Sequence, residues 1–515
     1  MATDLDTLEA KGLIRLVAYE PELEYLFRHW LVQDAAYGSL LKQERRELHR
    51  RVGEALETLY PDRHDELAAV LAMHFEQAGA IEKAIEYFVA AGRFAIARNA
   101  VREAYAAFDR ALKLIPPATE ADDDAVRRRR VEITTGRAQA GWSFKPMEDF
   151  VAELETVLPE AERLDDAELL RPIHSLLAMQ GLLQGKPASD PVVRRSLDRI
   201  EDLAERLGDP SLRATPIALV GLQQVFTGSI RDGVKALEAA VPLLEDSRDS
   251  IAAAFARGAL AIGYARLGEF AKAEEAARRA SEVAEKGDIV AQLDAQIAES
   301  LVRSERGDLD EVVPLARSCM LRSEETGASA CVVPSAWILG DAYSRQGKFA
   351  EAREALQYGN DLAVAVDKQL WRPTLVAWLG RANAALDPST ILGSASDEAW
   401  NEALATARSI DNQYGEAGIL WKRAEARERG GDLEGAVRDF EASAALFEAA
   451  GVRPTLARVL RGLGESLLSL GRSADGQAAL RRSLALFEEM GIDGEATAAR
   501  DALREAEAKP ETHMT

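Results

Sequence analysis

Six histidines and two cysteines are the scarce reactive residues of this 515-residue chain, and their spacing argues against catalysis. His29, His49, His64 and His74 cluster in sequence, yet no two stand at i,i+4 beside a third ligand, the arrangement a helical zinc site needs. Neither Ser nor Cys occupies a G-x-S-x-G type of nucleophile turn, and plentiful carboxylates on solvated helices do not by themselves make an acid/base pair. No G-x-x-x-x-G-K-[ST] run is there to wrap a phosphate in backbone amides; Gly181-Leu-Leu-Gln-Gly185-Lys186 has the wrong spacing and a proline after the lysine. The expectation is no catalytic residue, no metal and no cofactor. What recurs instead is recognition chemistry. Trp337 lies ten residues before Gly347, Trp421 ten before Gly431 and Trp378 ten before Pro388, while Arg266, Arg345 and Arg429 each lie two before a glycine. Aromatic and arginine side chains are the enriched components of binding hot spots.

Those residues keep fixed distances from a punctuation that runs along the chain. One series of turn signals is Gly228, Gly268, Gly307, Gly347, Gly431 and Gly471, with steps of 40, 39, 40, 84 and 40. A second is Gly208, Gly287, Gly327, Asp367, Asp411, Gly451 and Gly491, with steps of 79, 40, 40, 44, 40 and 40. Where the first series doubles with four residues extra, the second stretches by the same four, which places a short insertion near Asp387-Pro388-Ser389-Thr390. Two phase-locked turns per period of about 40 residues mean two helices per repeat, an all-α solenoid. Between turns, apolar residues recur at three- and four-residue spacing with alanine where helices must approach closely, as in Gly340-Asp-Ala-Tyr343 and Phe349-Ala-Glu-Ala352. Each helix is predicted to span about 16 to 18 residues, roughly 25 Å, with glycine providing a left-handed cap. Less regular turns at Gly79, Asn99, Gly141 and Gly185 bring the expectation to about ten or eleven hairpins over residues 60–505.

The run Leu339-Gly340-x-x-Tyr343-x-x-x-Gly347, then Ala352 and Leu356, repeated in part by Leu463-Gly464, Gly471 and Leu480, resembles the tetratricopeptide (TPR) pattern. Its period departs from the usual length of about 34 residues and is similar to the longer repeats of bacterial signalling ATPases. In the TPR register the resemblance places the tryptophan station on the concave groove, one residue beyond the position packed inside the hairpin. With the arginines that recur two before the turn, a groove lined by Trp337, Trp378, Trp421, Arg266, Arg345 and Arg429 would suit a protein or extended peptide, an acidic partner or a small ligand such as a sugar. Tryptophan at helical spacing equally suits inter-helix packing, and arginine suits a solvated helix face, so both readings stand open at this point.

The first sixty residues read differently. Leu5-x-x-Leu8 closes a helix, Gly12 to Val17 reads as a strand, and Glu20-Pro21-Glu22 turns into a second strand through Tyr25-Leu26-Phe27. Phe27-Arg28-His29-x-Leu31-x-Gln33-Asp34-x-Ala36-Tyr37 follows, then Arg45-Arg46-x-Leu48-His49-Arg50-Arg51-Val52 and Leu71-Ala-x-His74-Phe75-x-x-Ala78-Gly79. These runs are similar to the junction of winged helix and repeat array in STAND-type signalling ATPases, including adenylate/guanylate cyclase fusions and maltose-regulator-like proteins; Trp30 departs from the small or polar residue usual there. The resemblance implies a partial winged helix with its β-hairpin wing over 1–29, junction helices and first hairpins over 30–115, the superhelical array over 116–505 and a disordered tail over 506–515. It also implies an ATPase domain, in cis or in trans, that Arg45, Arg46, Arg50 and Arg51 would face, plain exposure being the alternative for those four.

A net charge of −23 argues against an array that wraps nucleic acid, because phosphate contacts need a positive surface. Arg127 to Arg130, following Asp122 to Asp124, read as a solvated helix face rather than a phosphate site, with the acids suited to the first turn. No apolar stretch approaches the roughly 18 residues that cross a bilayer, and the amino terminus lacks the form of a signal peptide. Cys319 and Cys331 read as small core residues in a reducing cytosol. The leading expectation is therefore a cytoplasmic, non-enzymatic sensor or scaffold arm of a larger signalling ATPase. An effector-binding arm of a transcription regulator is one alternative; a fragment whose parent carries cyclase or ATPase activity is another.

Overall fold

The computed structural model describes residues 2–18, 24–98, 100–142, 144–245, 250–285, 289–365, 370–387 and 394–508. The chain divides into two compact units, 1–94 with 106–117, and 95–105 with 118–515.

In the first unit, α1 (Ala2–Ala10) leads into β1 (Ile14–Ala18), which pairs antiparallel with β2 (Glu24–Phe27) in a register that sets Ile14 opposite Phe27 and Leu16 opposite Tyr25. The predicted Glu20-Pro21-Glu22 turn lies outside the described residues. Helix α2 (Trp30–Ser39) starts at His29, whose ring accepts from the Leu31 N–H, and it buries none of its residues. Helices α3 (Lys42–Leu59) and α4 (His64–Ala78) pack closely at Gly53, where a Cβ would lie 2.9 Å from the Phe75 ring. Helices α5 (Ile81–Ala97) and α6 (Val101–Leu114) meet at Gly92 and Phe108 in the same way.

The second unit is the solenoid. Its hairpins pair α7 (Asp124–Gly141) with α8 (Met147–Leu164), α9 (Ala167–Leu183) with α10 (Pro191–Leu207), and α11 (Pro210–Thr227) with α12 (Ile230–Glu245). Next come α13 (Ser250–Arg266) with α14 (Phe270–Ala284), α15 (Ile289–Arg306) with α16 (Leu309–Thr326), and α17 (Ser329–Arg345) with α18 (Phe349–Ala365). The last are α19 (Arg372–Leu386) with α20 (Ser394–Ser409), α21 (Gln413–Arg429) with α22 (Leu433–Ala450), and α23 (Arg453–Ser469) with α24 (Ser473–Met490), after which α25 (Asp493–Ala508) closes the stack.

All six glycines of the first turn series adopt positive φ, from 76° at Gly347 to 123° at Gly228, as do Gly208, Gly327, Asp411, Gly451 and Gly491 of the second. Gly287, Asp367 and Pro388 lie outside the described residues, and the expected insertion falls between α19 and α20. Seven residues before each first-series turn stands a small buried residue: Gly221, Ala261, Ser300, Gly340, Ala424 and Gly464. At Gly340 an added Cβ would lie 2.3 Å from Leu356 on the partner helix, so this station sets how closely a hairpin closes. The fold is thus an all-α solenoid of TPR-like hairpins with a two-stranded hairpin at its amino-terminal end.

The charge run after Asp122 departs from expectation. Arg127 and Arg130 are buried rather than solvated: Arg127 donates to the carbonyls of Asp122, Thr119 and Glu120, and Arg130 to both Glu160 oxygens and to Asp122. Their guanidiniums hold the chain that enters α7, a role that spacing along one helix cannot reveal. Cys319 and Cys331 are buried as expected, and burial pushes the Cys319 thiol up to about 11.

Candidate functional site

The first helix of each hairpin faces the inside of the array, and five consecutive ones, α15, α17, α19, α21 and α23, close on one another. They surround a cavity of about 20 Å³, lined by Ser304 and Glu305 of α15, Trp337, Asp341 and Arg345 of α17, Trp378 of α19, Tyr414 and Trp421 of α21, and Thr455 and Arg458 of α23. That volume is roughly what one water molecule needs. The array also winds back on itself: α11 meets α21, α13 meets α23, and a Cβ at Gly228 would lie 3.1 Å from Gln413.

The three tryptophans of the predicted station come together here, 4–7% exposed. Trp337 and Trp378 meet edge to face with centroids 5.8 Å apart, Trp378 and Trp421 at 6.0 Å, and Trp371 extends the row from Trp337 to Phe226. The Trp378 indole donates to Asp341 at 2.6 Å, whereas the buried Trp337 N–H finds no partner among the described residues. Lys422, also buried, lies 3.3 Å from the Trp421 ring centre and 4.8 Å from that of Trp378, a cation–π contact. Burial depresses the Lys422 pKa. Burial alone would raise the neighbouring Glu425, but Lys422 and Arg381 outweigh it and hold that carboxyl down.

The predicted arginines divide. Arg266 is buried, donates to the Val225 carbonyl and stacks 3.8 Å over Tyr414. Arg345 donates to the Ser304 carbonyl at 2.7 Å and to Glu495 at 2.7 Å. Both therefore reach back 41 residues to the last turn of the preceding first helix, where carbonyls lack helical partners and the dipole is negative. For these two the solvated-face reading is corrected, since each ties one repeat to the one before. Arg429 is exposed and stands 5.2 Å over Phe349.

Four residues that spacing did not single out complete the arrangement. Arg458 donates to Glu495 at 2.7 Å, to the Glu305 carboxylate at 3.0 Å and to the Glu305 carbonyl at 2.6 Å, and Thr455 donates to Glu305 at 3.3 Å. Burial would raise the Glu495 carboxyl, yet Arg458, Arg345 and Arg461 hold it down to about 2; burial pushes the Tyr414 hydroxyl up to about 12. A signal for this network was present: at the station two before the turn, where Arg266, Arg345 and Arg429 recur, the repeat ending at Gly307 carries Glu305 instead.

In the first unit, Arg46, Arg50 and Arg51 are exposed; Arg50 pairs with Glu47 and Glu54 on its own helix. Arg45 donates to the Leu40 carbonyl and stands 5.2 Å over Tyr37. His49 links Tyr37, 2.9 Å from its Nε2, to His74, 2.9 Å from its Nδ1, joining α2, α3 and α4. Burial lowers the pKa of both histidines. Trp30, Leu31, Tyr37 and Leu41 leave an apolar surface uncovered, with Trp30 67% and Leu41 70% exposed. Among the described residues no group of three or more His, Cys, Asp or Glu is placed to hold a metal ion, and no helix is long and apolar enough to cross a membrane.

No protein-family model matches the sequence. An uncharacterized protein of Rhizobium meliloti is 33% identical over 127 residues, 24% of this chain, and this chain spans only 12% of that relative's length. Among solved structures, a Rap protein complexed with competence and sporulation factor matches 70% of this chain and 98% of its own at 12% identity with a TM-score of 0.52. A STAND protein with a tetratricopeptide repeat sensor from Pyrococcus horikoshii is similar over 76% of this chain and 57% of its own at 14% identity, with a TM-score of 0.39. At such identities a likeness speaks to fold alone: the second unit is a TPR-like solenoid of the kind seen in the Rap protein.

Proposed function

We propose that this chain is the non-catalytic, partner-binding repeat arm of a cytoplasmic bacterial signalling ATPase, with 1–29 forming part of a winged helix. The observation that carries the reading is the uncovered apolar surface of the first unit. A ten-residue helix with no buried residue, α2, exposes its own Trp30 and Leu31, and with the exposed Leu41 that follows it precedes a helix that presents Arg46, Arg50 and Arg51. Contiguous apolar surface rimmed by charge is how interaction sites present themselves, and the sequence resemblance supplies the occupant, an ATPase domain in cis or in trans. The test is a photo-crosslinker at Leu41 in cells. Crosslinks to a nucleotide-binding ATPase, lost when Arg46 and Arg51 are both changed to Glu, are expected. Crosslinks confined to proteins without such a domain would refute the assignment.

The array's own partner, in this reading, is a protein or peptide that Trp337, Trp378, Trp421, Arg266, Arg345 and Arg429 take up on the inner face. The concentration of aromatic rings and arginines there supports it. The Rap protein of the same fold was solved with competence and sporulation factor, and a bound partner is carried from it to this chain as a proposal.

A further inference from the structure

The inner face is sealed in this structure, and the ion cluster at the edge where α15 meets α23 takes one of its carboxylates from a less firmly anchored helix. Helix α23 is anchored by Leu456, Val459, Leu460, Leu463 and Leu467, all buried. The terminal helix α25 buries only Ala496, Ala499 and Ala506, with Ile492 just ahead of it. Three alanines, Ile492 and the half-buried Leu503 bury less apolar surface than the five branched side chains of α23 do. Yet α25 carries the carboxylate at the centre of the buried ion cluster, since a single oxygen of Glu495 accepts from both Arg345 and Arg458, each at 2.7 Å. Without it, two enclosed guanidiniums would face Glu305 and the more distant Asp341, 3.7 Å from Arg345. An enclosed charge that loses a partner is destabilised, so the edge where α15 meets α23 and Arg345 of α17 meets α25 is held in part by the carboxylate at this position.

We propose that α25 is a tethered occupant of a carboxylate site formed by Arg345 and Arg458, and that an acidic segment of the arm's partner replaces Glu495, releases α25 and loosens the edge where α15 meets α23, behind which the tryptophan row lies. The proposal rests on the reading that the array takes a protein partner. It adds which chemistry that partner must bring and which part of the chain must leave.

The probe is a fluorescent synthetic peptide with the sequence of residues 491–508, added to the full chain. It should bind the Glu495→Gln chain about tenfold more tightly than the wild type, because the variant's own α25 competes poorly, and a peptide carrying Gln in place of that Glu should bind neither. In the wild type, needing no variant, α25 amides should exchange with solvent as a block about tenfold or more faster than those of α23. Equal protection of α25 and α23, or indifference to the Glu-to-Gln change in the peptide, would overturn the proposal. A protein partner that binds while α25 protection stays unchanged would also overturn it, and would leave the arm's binding role standing.

Discussion

Trp378 is held on three sides: edge contacts to Trp337 and Trp421, and a hydrogen bond to Asp341. Trp378→Ala should therefore cost about 3 to 5 kcal/mol in denaturant melts, while Trp30→Ala should change stability by no more than about 0.5 kcal/mol; equal effects would refute the buried row. His174 gives the chain a second residue-level signature. Neither ring nitrogen has a partner among the described residues, and burial, with Arg199 and Arg195 adding to it, holds its pKa down to about 4. The unfolded chain binds this proton more readily, so its contribution to stability is complete at neutral pH and is lost as pH falls from about 6.5 towards 4. The loss should approach 3 kcal/mol (~1.4 per pH unit) and be absent in His174→Leu; identical pH profiles for both chains would refute it. The tryptophan station was legible because three like residues recur at one distance from a turn. Of the ion cluster only the glutamate at the arginine station, Glu305, left a trace in the sequence; its partner Arg458 did not, because it stands 153 residues away and only the curvature of the array brings the two together.

At the scale of the element, hairpin geometry follows from two stations. Gly347 ends its hairpin turn at φ 76°, and Gly340 lets the two helices touch. Gly347→Val forces a β-branched residue into the left-handed region and should destabilise the chain by more than about 1 kcal/mol. Gly340→Ala pushes a methyl into Leu356 and should cost about 1 to 3 kcal/mol. Unchanged thermal melts would refute the corresponding station. Turns of this kind are legible in sequence because the backbone conformation itself demands glycine. The burial of Arg127 and Arg130 escaped the same reading, because their partners Glu160, Thr119 and Glu120 lie on other segments and helix periodicity reports only one face at a time.

At the scale of the whole molecule, stacking explains why hairpins hold together but not why the inner face shuts. A solenoid whose repeats touch only their neighbours would leave that face open along its length. Here α15 reaches α23, and charges of opposite sign face each other across the gap, the buried Glu305 and half-buried Glu495 against the buried Arg458 and half-buried Arg345. Closure of the inner face therefore couples residues that no neighbour-only solenoid would couple. A double-mutant cycle on Glu305→Gln and Arg458→Met, read by denaturant melts, measures it directly. Closure predicts a coupling of about 1 to 3 kcal/mol between the two substitutions, and additivity within about 0.3 kcal/mol would mean that the inner face stands open where α15 and α23 should meet.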